Sequence, residues 1–175
     1  MVPENGPRIL IVDDELPICK NCIKILSGSS AEIDYALNGY DAMKLLEKKS
    51  YHIVITDLKM SRMGGMEVLS RIKKEYPDIT VIVITGFASV SSAVEVMKMG
   101  AYDYLPKPFT PHELRAVVTQ AMNHHIIRMQ NKQRISGHKE SPVLSHQLVG
   151  TSPQIKKVIS MIKKVAHTQS TVLSP

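Results

Sequence analysis

The stretch that decides the fold reads Arg8-Ile-Leu-Ile-Val-Asp-Asp14, an apolar, β-branched run that stops at two carboxylates. Three later stretches repeat this design, because each apolar run again stops at a residue with a chemical or conformational function. They are His52-Ile-Val-Ile-Thr-Asp57, Thr80-Val-Ile-Val-Ile-Thr-Gly86 and Ala101-Tyr-Asp-Tyr-Leu-Pro-Lys-Pro108. Short runs of this kind are typical of buried strands in a parallel sheet covered on both faces.

Segments with helical spacing of apolar residues alternate with these strands and with a further strand at 32–36. The predicted helices cover 16–26, 40–49, 66–75 and 89–99, and a fifth begins after Thr110, with Pro111 at its first position and Glu113 at its third. Five β-α units with short loops predict an α/β fold, a doubly wound five-stranded parallel sheet. We expect the strand order 2-1-3-4-5, with an extended C-terminal helix and a linker after it.

Carboxylates from two strands should meet at one edge of this sheet. Ligands of open α/β sheets bind beyond the carboxyl ends of the strands, and strands 1 and 3 are neighbours in this order. Asp13, Asp14 and Asp57 should therefore lie together, with Thr85 and Lys107 beside them. Taken singly, a helix cap, a turn and a rigid loop would explain these residues, but their joint arrangement favours a site.

The chemistry of such an edge suits a divalent cation and a phosphoryl group. Mg²⁺ takes one or two carboxylates together with water and phosphate oxygens, so we expect Asp14 and Asp57 as direct ligands. Asp13 should act through water or by holding Lys107. Asp57 is also placed to attack a phosphoryl group, which gives an aspartyl phosphate. Thr85 and Lys107 would supply positioning and charge neutralisation.

Composition narrows the class of protein. The chain has 175 residues, 43% of them hydrophobic, which allows one domain and a shorter segment. It shows neither a secretory signal nor an apolar stretch of about 18 residues, so we expect a soluble, cytoplasmic protein without membrane contact.

Cys19 and Cys22 form a lone C-x-x-C, which could be a redox pair or half of a zinc site. We favour two thiols packed as small hydrophobes, because no second pair and no nearby His completes four metal ligands.

Charge and periodicity divide the chain into segments. The net charge of +6 is concentrated after residue 110, yet no aromatic residues interleave for base stacking, which disfavours direct DNA binding.

A helical stripe of apolar residues should extend beyond the last contact with the sheet; it consists of Val118, Met122, Ile126 and Met129. It indicates either a coiled-coil dimer or a helix end that frays in solvent. We predict a first domain at 7–125, a helical extension and linker at 126–147, and the truncated start of another domain at 148–175.

Residues 8–109 resemble a bacterial response-regulator receiver domain. The matching motifs are Ile11-Val-Asp-Asp-Glu15, Asp57-Leu-Lys-Met60 with Gly65, Thr85-Gly86 and Tyr104-Leu-Pro-Lys-Pro-Phe109. The resemblance implies a flavodoxin-like fold, phosphorylation of Asp57 by a histidine kinase, and Mg²⁺ held by Asp14, Asp57 and the backbone carbonyl of Lys59, with Asp13 in support. It implies that Thr85 and Lys107 bind the phosphoryl group, that Tyr104 is an aromatic switch, and that the Lys107–Pro108 bond is cis.

Residues 86–90 and 93–104, with parts of 148–173, are most similar to regulators of the nitrogen-regulation (NtrC-like) class. That similarity implies a sigma-54-dependent transcriptional activator with an AAA+ ATPase domain beginning at 148. It also implies a homodimer formed through helix 4, strand 5 and the extended helix 5. The sequence contains no G-x-x-x-x-G-K-[ST] loop, so no residue is assigned to ATP. DNA and sigma-54 RNA polymerase would be reached through domains not in this sequence, and we expect no enzymatic activity beyond self-phosphorylation and dephosphorylation.

Two departures from the family pattern concern the loop after Asp57. Ser61 stands where the family usually has Pro, and Gly64 stands where it often has Asp or Asn.

Two other functions remain as alternatives. One is a phosphatase similar to the haloacid-dehalogenase class, although those enzymes carry D-x-D on the first strand and this chain has adjacent Asp13-Asp14. The other is a pseudo-receiver that is never phosphorylated.

Overall fold

The computed structural model describes residues 6–86 and 89–135, and the linker and the segment at 148–175 lie outside the described residues. The strands are β1 (Arg8–Val12), β2 (Glu32–Ala36), β3 (Ile53–Thr56), β4 (Thr80–Thr85) and β5 (Asp103–Pro106). The helices are α1 (Leu16–Leu26), α2 (Gly39–Lys48), α3 (Gly65–Glu75), α4 (Val90–Lys98) and α5 (Pro111–Ile135). All strand pairs are parallel and their order is β2-β1-β3-β4-β5, which confirms the predicted fold.

The register of the central strands brings their carboxyl ends level. Val12 of β1 lies opposite Thr56 of β3, and the Asp57 N–H donates to the Val12 carbonyl at 2.9 Å. On the other side of β1, the Asp13 N–H donates to the Ala36 carbonyl at 3.1 Å. Asp13 and Asp57 therefore leave adjacent strands at the same height, and both side chains point out of the same edge of the sheet.

Both faces of the sheet are covered, which explains why its strands are almost continuously apolar. Leu10 and Val12 belong to a core cluster shared with α2, α3 and α4, whereas Ile9 and Ile11 belong to a second cluster shared with α1 and α5. Every residue of β3 and β4 is buried. The sheet is thus a rigid support for the loops at its carboxyl edge.

Most predicted boundaries agree with the structure to within one residue, and side-chain caps explain several of them. Asn38 caps α2 by accepting from the Asp41 N–H. The predicted capping box of α5 is present, because the Thr110 N–H donates to Glu113 Oε2 at 2.8 Å and the Glu113 N–H donates to Thr110 Oγ1 at 3.2 Å. The largest difference is β5, which begins at Asp103 and not at 101.

The C-terminal half of α5 contacts the rest of the domain over a greater length than the stripe of apolar residues predicted. Val118 is 7% exposed in the core and Met122 packs against it, while Ile126 is 39% exposed. His125, which interrupts the stripe, is buried and donates from Nδ1 to the Asp78 carbonyl at 3.1 Å. Lys132 forms an ion pair with the Asp78 carboxylate. Two of the four residues of the stripe, Val118 and Met122, therefore pack within the domain. Dimer formation stays a prediction.

The two cysteines are free and buried, as the packing interpretation predicts. Burial raises the pKa of the Cys19 thiol to about 11 and that of Cys22 to about 12, so both are protonated at neutral pH. A protonated, enclosed thiol is a poor nucleophile and a poor metal ligand. Among the described helices, none combines the length and apolarity needed to cross a membrane.

Candidate functional site

The site lies where β1, β3, β4 and β5 end, and its centre is the Lys107 ammonium group. Lys107 Nζ lies 2.6 Å from Asp13 Oδ2 and 2.7 Å from Asp57 Oδ2. It also lies 3.8 Å from Glu15 Oε1. Three of the side chains predicted from the sequence, which are 44 to 94 residues apart along the chain, therefore meet around one cation.

This ion cluster is largely removed from solvent. The side chains of Lys107, Asp13 and Asp57 are 12%, 4% and 8% exposed. Burial raises the pKa of Asp13 against the opposing effect of its hydrogen bond with Lys107. Burial alone would lower the pKa of Lys107, but the hydrogen bonds to Asp13 and Asp57 outweigh it and raise that pKa. Lys107 is therefore charged at neutral pH.

The edge as a whole carries excess negative charge. Asp13 and Asp57 bring two carboxylates to the one ammonium of Lys107, and Asp14 and Glu15 add further negative charge beside them. Both oxygens of Asp13 are engaged, because Oδ2 accepts from Lys107 and Oδ1 accepts from the Glu15 N–H at 3.0 Å. Asp13 is therefore suited to holding Lys107, and the remaining charge at the edge favours a cation.

The loop between β3 and α3 supplies backbone donors to the same carboxylates. The Lys59 N–H donates to Asp57 Oδ1 at 3.2 Å, and the Ser61 N–H donates to Asp14 Oδ2 at 2.9 Å. The loop closes on its own first residues at Gly65, whose N–H donates to the Leu58 carbonyl at 3.0 Å.

Gly65 owes its place to a close approach of two backbone segments. A Cβ at this position would lie 1.8 Å from the Asp57 carbonyl oxygen and 2.7 Å from the carbonyl carbon. Only glycine fits there, since real Cβ contacts are essentially never shorter than 3.0 Å. The contact makes the start of α3 a support for the backbone of Asp57.

Thr85 and Tyr104 lie on the β4 and β5 side of the site. Thr85 is fully buried at the end of β4, and its carbonyl accepts from the Lys107 N–H at 2.8 Å, which places the two residues side by side. The Lys107–Pro108 peptide bond is cis, as the resemblance implies. The Tyr104 ring is 4% exposed, and its hydroxyl lies 3.2 Å from Ser92 Oγ on α4.

The donor set at this edge fits Mg²⁺ better than a metal that needs a closed cage of side chains. In residues 6–86 and 89–135 no group of three or more His, Cys, Asp and Glu side chains is arranged to hold a metal ion. Mg²⁺ needs only one or two carboxylates, because it keeps several waters. Asp14, Asp57 and the Lys59 carbonyl offer hard oxygen atoms of this kind beside an excess of negative charge.

Sequence reasoning missed the contacts that involve backbone donors or small side chains. The Ser61 N–H that reaches Asp14 carries no sequence signal, because every residue except proline has one. Ser92, the partner of the Tyr104 hydroxyl, also completes the capping box of α4 with Ser89. The spacing of those two serines could have indicated the cap, but only the fold brings Ser92 to Tyr104.

Comparisons with known proteins agree with the fold and the motifs. The family described as response regulator receiver domain matches residues 9–119. The transcriptional regulatory protein ZraR of Klebsiella oxytoca is 33% identical over 165 residues, which cover 94% of this chain and 36% of that protein. The chain thus spans about a third of the length of this curated relative.

Two solved structures show the same architecture at similar identity. A response regulator receiver domain protein from Clostridium thermocellum has a TM-score of 0.65 and 33% identity, and the match covers 69% of this chain and 98% of that one. The beryllofluoride-activated NtrC4 receiver domain dimer has a TM-score of 0.65 and 33% identity, and the match covers 67% and 98% of the two chains.

Proposed function

Because this chain belongs to the response regulator receiver domain family, we propose that it is phosphorylated on Asp57 and that phosphorylation controls a transcriptional output. The observation that carries the proposal is the Lys107 ammonium, which bridges Asp13 and Asp57 at 2.6 and 2.7 Å. An ammonium in this position can pair with a phosphoryl group attached to Asp57. Receiver domains are regulatory modules and not classical enzymes, so the phosphoryl group is a signal and not a product.

The reaction is a transfer from the phosphohistidine of a sensor kinase. A carboxylate oxygen of Asp57 attacks the phosphorus atom, a P–O bond forms, and the P–N bond of the donor breaks with its electron pair moving to the imidazole. Catalysis then consists of positioning and charge stabilisation, which preorganised donors supply without reorganising. Lys107 would pair with the phosphoryl oxygens and Thr85 would donate its hydroxyl to them.

Asp14, Asp57 and the Lys59 carbonyl would hold Mg²⁺, with Asp13 acting through water, and the ion would neutralise the charge of the phosphoryl oxygens. Asp13 also accepts a hydrogen bond from Lys107, at 2.6 Å, beside the one that Asp57 accepts at 2.7 Å. When the Lys107 ammonium pairs with the phosphoryl group, its contact with Asp13 keeps the lysine side chain at the carboxyl edge of the sheet. The protein's own contribution is therefore a pre-formed set of donors around Asp57.

The change would reach the surface through Thr85 and Tyr104. A phosphoryl group that binds the Thr85 hydroxyl favours the conformation in which that hydroxyl points to the site, and so shifts a pre-existing equilibrium. Tyr104 lies on the neighbouring strand and its hydroxyl meets Ser92 of α4. A rotation of Tyr104 would therefore break or remake a contact with α4 and alter the face built from α4, β5 and α5.

The proposed output is activation of sigma-54-dependent transcription by a longer protein. The similarity to ZraR, a transcriptional regulatory protein, and to the NtrC4 receiver domain dimer supports this output. Homodimerisation through α4, β5 and α5 would transmit the signal, and we place the protein in the cytoplasm with its kinase and promoters. ATP, DNA and sigma-54 RNA polymerase would be bound by other parts of that protein.

The test is intact-mass spectrometry of the full chain after incubation with Mg²⁺ and acetyl phosphate. We expect an adduct of one phosphoryl group on the wild type and none on Asp57→Asn. Asp34→Asn is the matched control, because Asp34 is a carboxylate bound to Lys49 and Tyr51 away from the site, and it should label like the wild type. An unlabelled wild type would favour a pseudo-receiver, and rapid turnover of unrelated phosphate esters would favour a phosphatase.

Dimer formation needs a separate measurement. Light scattering gives the molar mass of the full chain with and without beryllofluoride, a mimic of the phosphoryl group. We expect the mass to change between the two conditions. The same monomeric mass in both would remove the dimer from the proposal and leave phosphorylation untouched.

A further inference from the structure

Both carboxylates that the proposed function assigns to Mg²⁺ already accept hydrogen bonds from one loop. Lys59 and Ser61, two residues apart between β3 and α3, donate their backbone N–H groups to Asp57 and Asp14 respectively. The Ser61 bond is the shorter, at 2.9 Å against 3.2 Å. It joins residues that are 47 positions apart and so ties the end of β1 to the loop that follows β3.

The segment around Ser61 is an exposed arch between two fixed points. On one side, Asp57 is held by the β1–β3 ladder through its own N–H. On the other, the Met63 side chain is 1% exposed in the core. Ser61 and Arg62 lie between these points and both are exposed. The bond to Asp14 is thus a contact by which the arch is attached to the acidic edge.

The arch also contains an unfavourable backbone conformation. Arg62 has a φ of 74°, and no other non-glycine residue in the described part of the chain has a positive φ. A side-chain-bearing residue in this region is strained and persists only where its surroundings hold it. The Ser61 N–H bond, at the adjacent residue, is a contact that can hold it.

We propose that the Ser61 amide competes with Mg²⁺ for Asp14 and so lowers the metal affinity of the site. The inference rests on the proposed function, since it takes Asp14 as a metal ligand. In the state described here, Asp14 Oδ2 faces the Ser61 N–H. A cation that takes this oxygen displaces the Ser61 donor, and the arch then loses its tie. Mg²⁺ binding therefore breaks the hydrogen bond between Ser61 and Asp14. The free energy of that bond is subtracted from the free energy of Mg²⁺ binding, which lowers the affinity of the site for Mg²⁺.

Ser61 is the right residue to test because two substitutions separate its two polar groups. Ser61→Pro removes the N–H, since proline has none, and it is the residue usual at this position in the family. Ser61→Ala removes only the hydroxyl and keeps the N–H. Isothermal titration calorimetry with Mg²⁺ as the ligand should show roughly twofold to tenfold tighter binding for Ser61→Pro than for wild type, the range expected for one hydrogen bond. Ser61→Ala should bind like wild type.

Equal or weaker Mg²⁺ binding by Ser61→Pro would overturn the inference, because the N–H would then be compatible with the bound ion. If Mg²⁺ binds none of the three chains, the proposed function fails with it. If acetyl phosphate labels Asp57 while the Pro and wild-type chains bind Mg²⁺ equally, only the inference fails.

A measurement on the wild-type chain covers the case in which Ser61→Pro does not fold. Amide exchange by NMR should show the Ser61 N–H exchanging faster at saturating Mg²⁺ than without it. The Thr80 N–H, which donates to the His52 carbonyl within the sheet and belongs to no residue of the site, is the internal reference and should not change. An unchanged Ser61 exchange rate would show that Asp14 keeps its backbone partner, and the inference would be wrong.

Discussion

Gly65→Ala should damage the site while leaving all of its charged groups in place. The added Cβ would lie 1.8 Å from the Asp57 carbonyl oxygen and 2.9 Å from the Leu58 Cα. These neighbours are backbone atoms, so no flexible side chain can turn away to make room. Either the start of α3 or the backbone of Asp57 has to move.

The size of the effect follows from that distance. To reach even the 3.0 Å lower limit of real Cβ contacts, the two segments must separate by about 1.2 Å. Overpacking of this kind lowers the free energy of unfolding by roughly 1–3 kcal/mol. The higher helix propensity of alanine offsets less than ~1 kcal/mol of this loss. A misplacement of about 1 Å at a reacting group can reduce a rate by about a hundredfold. We expect Asp57 phosphorylation to slow by roughly ten- to hundredfold.

Gly64→Ala is the matched control, one residue away with the same chemical change. Its Cβ would lie 3.3 Å from the Leu58 carbonyl oxygen, which a shift of a few tenths of an ångström relieves. Its φ of −76° suits alanine. We expect this variant to lose less than ~1 kcal/mol and to label at nearly the wild-type rate.

Two assays give the comparison. Urea denaturation measures the free energy of unfolding, and intact-mass spectrometry over time measures the rate of labelling by acetyl phosphate at saturating Mg²⁺. If Gly65→Ala matches Gly64→Ala in both, the close approach of α3 to Asp57 does not exist in solution and the reasoning is refuted. If Gly65→Ala is less stable than Gly64→Ala but is labelled at the same rate, the contact supports the fold and does not position Asp57.

Three further predictions concern charged and titrating groups. Lys107→Met should lower the free energy of unfolding in urea by roughly 2–4 kcal/mol without divalent cations, because two buried carboxylates lose the cation that they share. An unchanged stability would mean that Asp13 and Asp57 are not paired with it. Burial and the charge of Arg128 lower the pKa of Lys73 from 10.5 to about 8, so its charge costs stability below pH 8 and this cost disappears as the pH rises to 10.5. Lys73→Met removes this cost but also the hydrogen bond from Nζ to the Ile79 carbonyl, so the test is the pH dependence of the difference. The free energy of unfolding of Lys73→Met should gain on that of the wild type by up to ~3 kcal/mol as the pH falls from 10.5 to 7, and a constant difference would contradict the lowered pKa. Burial also lowers the pKa of His125, so wild-type stability should fall as the pH drops below 6.5, and the fall should be smaller in His125→Phe when both are followed by thermal unfolding.

The sequence determined the fold because its signals are local and agree with one another. The β-branched runs, the capping box at Thr110 and the short loops each predict one element, and together they allow only a doubly wound parallel sheet. The strand order then brings Asp13, Asp57 and Lys107 to one edge, which is where the structure places them.

Only the tertiary structure decided which partners the side chains at the edges of the domain have. His125 reads as a break in an apolar stripe, yet it is buried on the Asp78 carbonyl and keeps α5 on the domain. The Ser61 amide has no side-chain signal, yet it holds Asp14. Periodicity reports which face of an element is apolar, and motifs report which groups can react. A backbone N–H or carbonyl is the same in every sequence, so its partner is set by the three-dimensional path of the chain.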